Sequence, residues 1–248
     1  MSAKLKLTLA CGDYEIVQAL KNGSIAPDGI ELNVLTDMDS SSRHWRMIRN
    51  EEFDICELSG SSYLMAKDRG QAFSAIPVFL RRRFRHGFIF INASKGISKP
   101  QDLNGKRIGL KTYQATAILY LRGLLADEYG VDLSSIDWVT ELEEEIPFET
   151  PPGIRLSQAP AGSDISEMLA DYRTEEEAYY RRTGIFPIMH ATAIRNEILE
   201  EHPWVANNLA QAFEKAKFAA YRRMSNPRIV PLAWFLDEWD AQRELLGA

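Results

Sequence analysis

Over roughly its first hundred residues the chain alternates short apolar runs with helix-patterned segments, and this alternation constrains the fold most. Strands are expected at residues 4–10, 30–35, 53–58, 73–79 and 86–91. Helices are expected at 14–21, 40–50 and 61–69. The stops are turn sequences such as Asn22-Gly23 and Pro27-Asp28-Gly29. A second unit begins after Asn92, with strands at 106–110 and 136–139 around a helix at 115–129 that Gly130 ends. Residues 141–152 read as an acidic surface loop whose glutamates form a solvated face rather than a metal site. Further on come a helix at 166–180, an apolar strand at 187–194 and a long amphipathic helix at 203–224, with Pro203 in its first turn. Strands alternating with helices predict an α/β protein with mostly parallel sheet.

Charge and cysteine content narrow the function classes. The 248 residues carry a net charge of −6, against the basic balance of general nucleic-acid binders. No apolar run reaches the ~18–20 residues that span a bilayer. Cys11 and Cys56 lack any CxxC or Cys/His spacing and read as small core residues. Thr8-Leu9-Ala10-Cys11 loosely matches a lipoprotein cleavage box, but Lys4 and Lys6 interrupt the apolar core such a signal needs. The stretch is expected to be a strand and the protein cytoplasmic.

Polar residues cluster where strands hand over to helices. These junctions are Gly12-Asp13-Tyr14, Ser59-Gly60-Ser61-Ser62, Lys111-Thr112-Tyr113-Gln114 and the surroundings of His190. In open α/β sheets ligands bind outside the carboxyl ends of the strands, where helix N-termini suit a carboxylate or phosphate. Ser61, Ser62 and Thr112 fit equally well as helix N-caps. The Walker A pattern, GxGxxG after a strand and GxSxG are all missing, so ATP, NAD and serine-hydrolase chemistry have no support.

His44 and His202 lie on polar helical stretches and are expected at the surface. His86 and His190 lie in apolar runs, either as hydrogen-bonded core residues or as proton-transfer groups. The run Arg81–Phe90, RRRFRHGFIF, gathers four arginines and a histidine into six residues. Strand alternation would put His86 with Phe84, Phe88 and Phe90, and Arg85 with Ile89 and Ile91. A buried guanidinium needs a partner, and a carboxylate held by two parallel hydrogen bonds is the natural one. Arg81–Arg83 read either as a solvated turn or as part of such a site.

Several stretches together, LACGDYE, WRMIRNEEFDICELSGSSYLMA, AIPVFLRRRFRHGFIFINASKGISKPQDLNGKRIG and YYRRTGIFPIMH, resemble the 4,5-dihydroxyphthalate decarboxylase family. The resemblance covers most of the chain. FRHGFIFI and YYRRTGIFPIMH are its more specific parts, whereas ISKPQDLNGKRIG is generic to solute-binding-like folds. It implies a type II periplasmic-binding-protein-like fold of two α/β lobes with a ligand cleft between them, residues 1–92 with 189–248 and residues 93–188. The chain would cross near Asn92 and return near Ile188. Relatives carry a further stretch between the equivalents of residues 170 and 171, so the second lobe reads as shortened there. They also continue into more helix beyond the equivalent of Ala248.

The implied activity is cofactor-independent loss of one carboxyl group from an aromatic dicarboxylate such as 4,5-dihydroxyphthalate, giving protocatechuate. His86 or His190 is the candidate acid. Arg82, Arg85 and Arg182 are candidates to hold the carboxylates, and Asp13 or Tyr14 to contact the ring hydroxyls. Ser61, Ser62, Thr112 and Gln114 would complete the site. The expected partner is a small aromatic dicarboxylate rather than nucleic acid or membrane, and a homo-oligomer is compatible with the sequence. Two rivals share the fold: a non-catalytic carboxylate-binding protein for transport or sensing, and an enzyme of another pathway such as menaquinone or thiamine-precursor synthesis.

Overall fold

The structure is a computed structural model that describes residues 3–91, 96–160, 173–226 and 234–247. Among these, the strands in chain order are β1 (Leu5–Ala10), β2 (Ile30–Leu35), β3 (Ile55–Ser59), β4 (Phe73–Ile76), β5 (Arg107–Leu110), β6 (Asp137–Thr140), β7 (Arg155–Gln158) and β8 (His190–Arg195). The helices are α1 (Gln18–Lys21), α2 (Ser40–Asn50), α3 (Gly60–Asp68), α4 (Thr116–Gly123), α5 (Arg173–Thr183), α6 (Asn196–Glu201), α7 (Trp204–Met224) and α8 (Phe235–Leu246). The chain divides into two compact units. Residues 1–58, 66–82 and 190–248 form the first; residues 59–65 and 83–189 form the second.

The first unit is built on a mixed sheet in the order β2-β1-β3-β8-β4. β1 runs parallel to β2 from Leu5↔Ile30 to Ala10↔Leu35, and parallel to β3 at Leu9↔Ile55 and Ala10↔Cys56. β4 is antiparallel to β8. Leu9, Ile30, Ile55 and Ile194 pack from the sheet against Val205, Leu209, Ala212, Phe213 and Ala216 on α7. That helical spacing puts one face of α7 into the core, and each large aliphatic buried there contributes about 1.5–3 kcal/mol.

Asp54 pins three strands together. Its carboxylate accepts from the Thr8 backbone N–H (2.8 Å) and from Arg195 Nη2 (2.9 Å), and its carbonyl accepts from Arg195 N–H (3.1 Å).

The second unit carries a parallel sheet in the order β5-β6-β7. Its core is Leu110, Leu121, Leu125, Ile136 and Trp138, and the Trp138 indole N–H donates to the Leu133 carbonyl (3.1 Å). After α4 the backbone widens into a π-helical turn, Leu124–Glu128, and Gly130 ends it at φ 63°, a conformation glycine adopts without strain.

The structure corrects several expected elements. Residues 86–91 are not a strand: His86–Phe88 is a 3₁₀ turn, with Gly87 weakening any extended run and the Arg83 and Arg85 guanidinium groups folded onto the Phe88 ring at 4.6 and 4.8 Å. The strand expected over 73–79 stops at Ile76, before Pro77. On α2 the buried face is Arg43, His44, Met47 and Ile48, so His44 is a buried residue and not a surface one. Strand β7 and helices α6 and α8 were not expected. The helix anticipated over 166–180 is present as α5, while its first residues, the crossing at Asn92 and the junction 170–171 lie outside the described residues.

Replacing Asp54 by alanine should lower unfolding stability by about 1–2 kcal/mol, because two half-buried donors, one of them charged, lose their acceptor. The midpoint of urea denaturation measures this, and an unchanged midpoint would show the pin to be dispensable.

Candidate functional site

At the centre of β3 a glutamate sits in a strand whose residues are all buried. Glu57 is fully buried, and both carboxylate oxygens are occupied. Oε1 takes the Tyr14 hydroxyl at 2.7 Å and His190 Nδ1 at 2.5 Å; Oε2 takes the Gly12 backbone N–H at 2.8 Å and Arg43 Nη2 at 2.9 Å. All five residues belong to the first unit.

Local sequence explains how each partner arrives. Gly12 follows β1, and a Cβ there would meet the Tyr14 ring at 2.6 Å, so only glycine lets the ring fold back over the strand end. α2 is capped by Asp39, whose side chain accepts from Ser42 N–H, and this sets the rotation that turns Arg43 and His44 inward. His190 opens β8, next to β3 in the sheet. The His44 and His190 rings meet edge to face at 5.0 Å.

The electrostatics follow from this packing. Burial alone would raise the Glu57 carboxyl, but His190, Arg43 and Tyr14 outweigh it and hold it at about 2. Glu57 stays anionic even beside a neutral imidazole, because Arg43, Gly12 N–H and Tyr14 remain bound to it. Burial lowers His190 from the ordinary histidine value and outweighs the opposing pull of Glu57; His44 lowers it further. Near neutral pH the ring is therefore neutral. Its Nδ1–H is committed to Glu57, which leaves Nε2 as the nitrogen with a lone pair. Burial, with Glu57 adding to it, raises the Tyr14 hydroxyl, which stays protonated and donates. Cys11 is pushed up to about 12, and Cys56 is raised as well, both chiefly by burial; neither is in a disulfide.

A second polar cluster lies in the second unit. The hydroxyls of Ser59, Ser61 and Thr116 bond one another at 2.8–3.3 Å, Ser61 N–H donates to Thr116 Oγ1, and the Ser61 hydroxyl donates to the Gln114 carbonyl. The Ser62 hydroxyl donates to Glu145 Oε2 at 2.6 Å. Gln114 grips the backbone of Ile146 at both its N–H (2.9 Å) and its carbonyl (2.6 Å). Glu144 accepts from the backbone N–H groups of Tyr113 (2.6 Å) and Gln114 (3.2 Å). Glu144 and Glu145 are thus bound to the protein and half-buried, where a solvated face was expected. No metal-binding group of His, Cys, Asp or Glu occurs among the described residues.

The residues singled out from sequence are divided between the units. Asp13, Tyr14, Arg82 and His190 lie in the first; Ser61, Ser62, Arg85, His86, Thr112, Gln114 and Arg182 lie in the second. Tyr14 and His190 meet at Glu57. Asp13 is turned to the surface, held by Lys21 and Gln18. Arg82 is exposed. Arg85 is buried, its Nε 3.0 Å from the Met189 sulfur. His86 lies half-buried against Tyr179, with ring centroids 5.3 Å apart. Thr112 is half-buried in the loop between β5 and α4. Arg182 pairs with Glu128 at the surface. Sequence reasoning missed Glu57 and Arg43. The signal was available: a carboxylate inside FDICEL has to find cations or donors once the strand is buried.

Comparison with known proteins places this geometry. A model of ABC-transporter phosphonate periplasmic substrate-binding proteins matches residues 30–208. Among solved structures, the Candida albicans CA3427 gene product, described as having the generic periplasmic binding protein fold, matches with a TM-score of 0.54 at 16% identity, over 97% of this chain and 81% of that one. The periplasmic aliphatic sulphonate binding protein SsuA from Escherichia coli matches with a TM-score of 0.52 at 11% identity, over 100% and 78%. The fold is that of the type II periplasmic-binding-protein-like proteins. The 4,5-dihydroxyphthalate decarboxylase of Comamonas testosteroni is 35% identical over 283 residues, 99% of this chain and 85% of the relative. That of Pseudomonas putida is 36% identical over 174 residues, 67% of each chain. The chain belongs to the 4,5-dihydroxyphthalate decarboxylase family. An alignment of 283 positions exceeds the 248 residues present, so the Comamonas protein carries internal sequence that this chain lacks.

Replacing Glu57 by glutamine should destabilise the protein by about 3–5 kcal/mol, because Arg43 is left charged and buried. Tyr14→Phe should cost about 1–2 kcal/mol, since Glu57 keeps three partners. Stability should also fall as pH drops below 6.5, where an unfolded His190 takes up a proton that the folded one refuses, and should stop falling from this cause below the folded value. Denaturation midpoints between pH 5 and 8 measure that slope, and His190→Asn should flatten it.

Proposed function

We propose that this chain is a cofactor-independent decarboxylase of a dihydroxylated aromatic dicarboxylate, with 4,5-dihydroxyphthalate as substrate and protocatechuate as product, acting in the cytoplasm. The observation that carries this reading is the 35% identity to the Comamonas decarboxylase along 99% of the chain. The geometry adds a means. In 4,5-dihydroxyphthalate each carboxylate has a hydroxyl para to it. Neutral His190, fixed through Nδ1 by Glu57, takes the proton of one hydroxyl at Nε2. The charge left on oxygen flows through the ring to the para carbon, which bears a carboxylate. That carbon takes a proton from an acid. The bond to the carboxylate breaks and carbon dioxide leaves. The bonding pair restores the aromatic ring, and His190 returns its proton to the phenolate. One proton is consumed per turnover, matching replacement of a carboxylate by hydrogen.

This assigns His190 the role of base rather than of the acid first considered for it. The low basicity that burial gives it favours this choice, because a base must be unprotonated at working pH.

The direct test is incubation with 4,5-dihydroxyphthalate while following carbon dioxide or the catechol product. Thermal stabilisation by the compound without turnover would establish a binding protein and end this proposal. His190→Asn keeps an N–H for Glu57 but removes the base, so turnover should fall on the order of a hundredfold or more while KM changes little. In the native chain kcat/KM should stay level from pH 8 to 7 and decline only below pH 6.5. Unchanged carbon dioxide release in His190→Asn would refute this assignment.

A further inference from the structure

The loop joining β6 to β7 leaves the C-terminal end of the central strand, with Glu141 and Leu142 N–H donating to the carbonyls of Leu110 and Lys111, and then turns back over the exit of β5. Three ties hold it there. Gln114 clamps Ile146 by two hydrogen bonds, Phe148 stacks on Tyr113 (6.0 Å between centroids, 9° between planes), and two carboxylates lie on hydrogen-bond donors. Glu144 spans the consecutive N–H groups of Tyr113 and Gln114, one oxygen to each, and Glu145 takes the hydroxyl of fully buried Ser62. Two adjacent N–H groups facing both oxygens of one carboxylate make a bidentate carboxylate receptor. Arg122 adds positive charge beside it: its guanidinium lies 3.7 Å from the Tyr113 ring centroid, and its buried Nε has no hydrogen-bond partner among the described residues.

The internal occupant is a costly one. Burial raises the Glu144 carboxyl, the two N–H groups only partly offset this, and the neighbouring Glu145 charge raises it again. Two like charges from consecutive residues share the site, and an outside ligand bringing two carboxylates of its own could take the same donors while both glutamates return to water.

We propose that Tyr113 N–H, Gln114 N–H and the Ser62 hydroxyl form a receptor for a vicinal aromatic dicarboxylate, and that Glu144 and Glu145 are its built-in occupants, displaced when the ligand binds. The ligand class rests on the decarboxylase reading; the occupied receptor does not. The loop is then an internal competitor that sets a threshold ligand concentration, since apparent affinity is reduced by the fraction of molecules with the receptor open.

The test uses phthalate, which has two adjacent carboxylates and no ring hydroxyl, so it probes binding apart from turnover. By titration calorimetry the double variant Glu144→Ala/Glu145→Ala should bind phthalate at least about tenfold more tightly than the native chain. Glu143→Ala, which removes a charge from the exposed part of the same loop, should change little. Equal or weaker binding by the double variant, or an equal gain from Glu143→Ala, overturns the proposal. Should the double variant fail to fold, hydrogen exchange on the native chain decides: saturating phthalate should speed exchange at Ile146 N–H, and slowed or unchanged exchange there overturns displacement. Native turnover of 4,5-dihydroxyphthalate is scored separately, so either reading can fall while the other stands.

Discussion

A single buried carboxylate organises the first unit. Glu57 has no exposure to water, and an ion so placed persists only when charge and hydrogen bonds surround it. Four groups do so, from the end of β1, the turn after it, α2 and β8. Each arrives by a different route through the chain, so the carboxylate ties together segments that the sheet hydrogen bonds would join only in part. Such a pair is weak grounds for net stability, since apolar packing could replace it at similar or lower free energy. Its value lies in orientation: it fixes which nitrogen of His190 carries the proton and which remains basic.

The two units use carboxylates in opposite ways. In the first, Glu57 is overdetermined, held low by a cation and three donors. In the second, Glu144 is underdetermined, raised by burial and by its neighbour. The first arrangement suits a permanent scaffold and the second an exchangeable occupant. Their difference arises in spite of the deeper burial of Glu57: His190, Arg43 and Tyr14 touch it directly and outweigh that burial, whereas Glu144 has two backbone N–H groups, a more distant Arg122 and the like charge of Glu145.

Much of the architecture could be read from the sequence because it rests on local periodicity. β2, α2 and α7 begin and end within a residue of their expected places, since each is bounded by turn or capping chemistry that acts over a few residues. The RRRFRH run misleads, because alternation puts Arg85 and Phe88 on opposite faces, whereas the 3₁₀ turn at His86–Phe88 lets the Arg83 and Arg85 guanidinium groups stack on the Phe88 ring. β7 was missed because a four-residue strand among prolines carries too little pattern. At the site, Tyr14 and His190 were found as polar residues at strand ends, whereas Glu57, Arg43 and His44 were not. Their roles exist only once β3, α2 and β8 have come together, and a long-range charge pair leaves no periodic trace. The glutamates of residues 141–152 were read by composition, which cannot tell a solvated carboxylate from one resting on backbone N–H groups.

The two cysteines flank this chemistry without entering it. Cys56 precedes Glu57 on β3 and Cys11 follows β1, and both thiols are buried and far from ionised at neutral pH. A thiol reagent reacts with the thiolate and must first reach it. Alkylation of either sulfur therefore requires the β1–β3 seam to part, and the rate of labelling becomes a clock for that opening. The native chain thus carries two internal reporters of how often its central sheet breathes, readable without any added label or substitution.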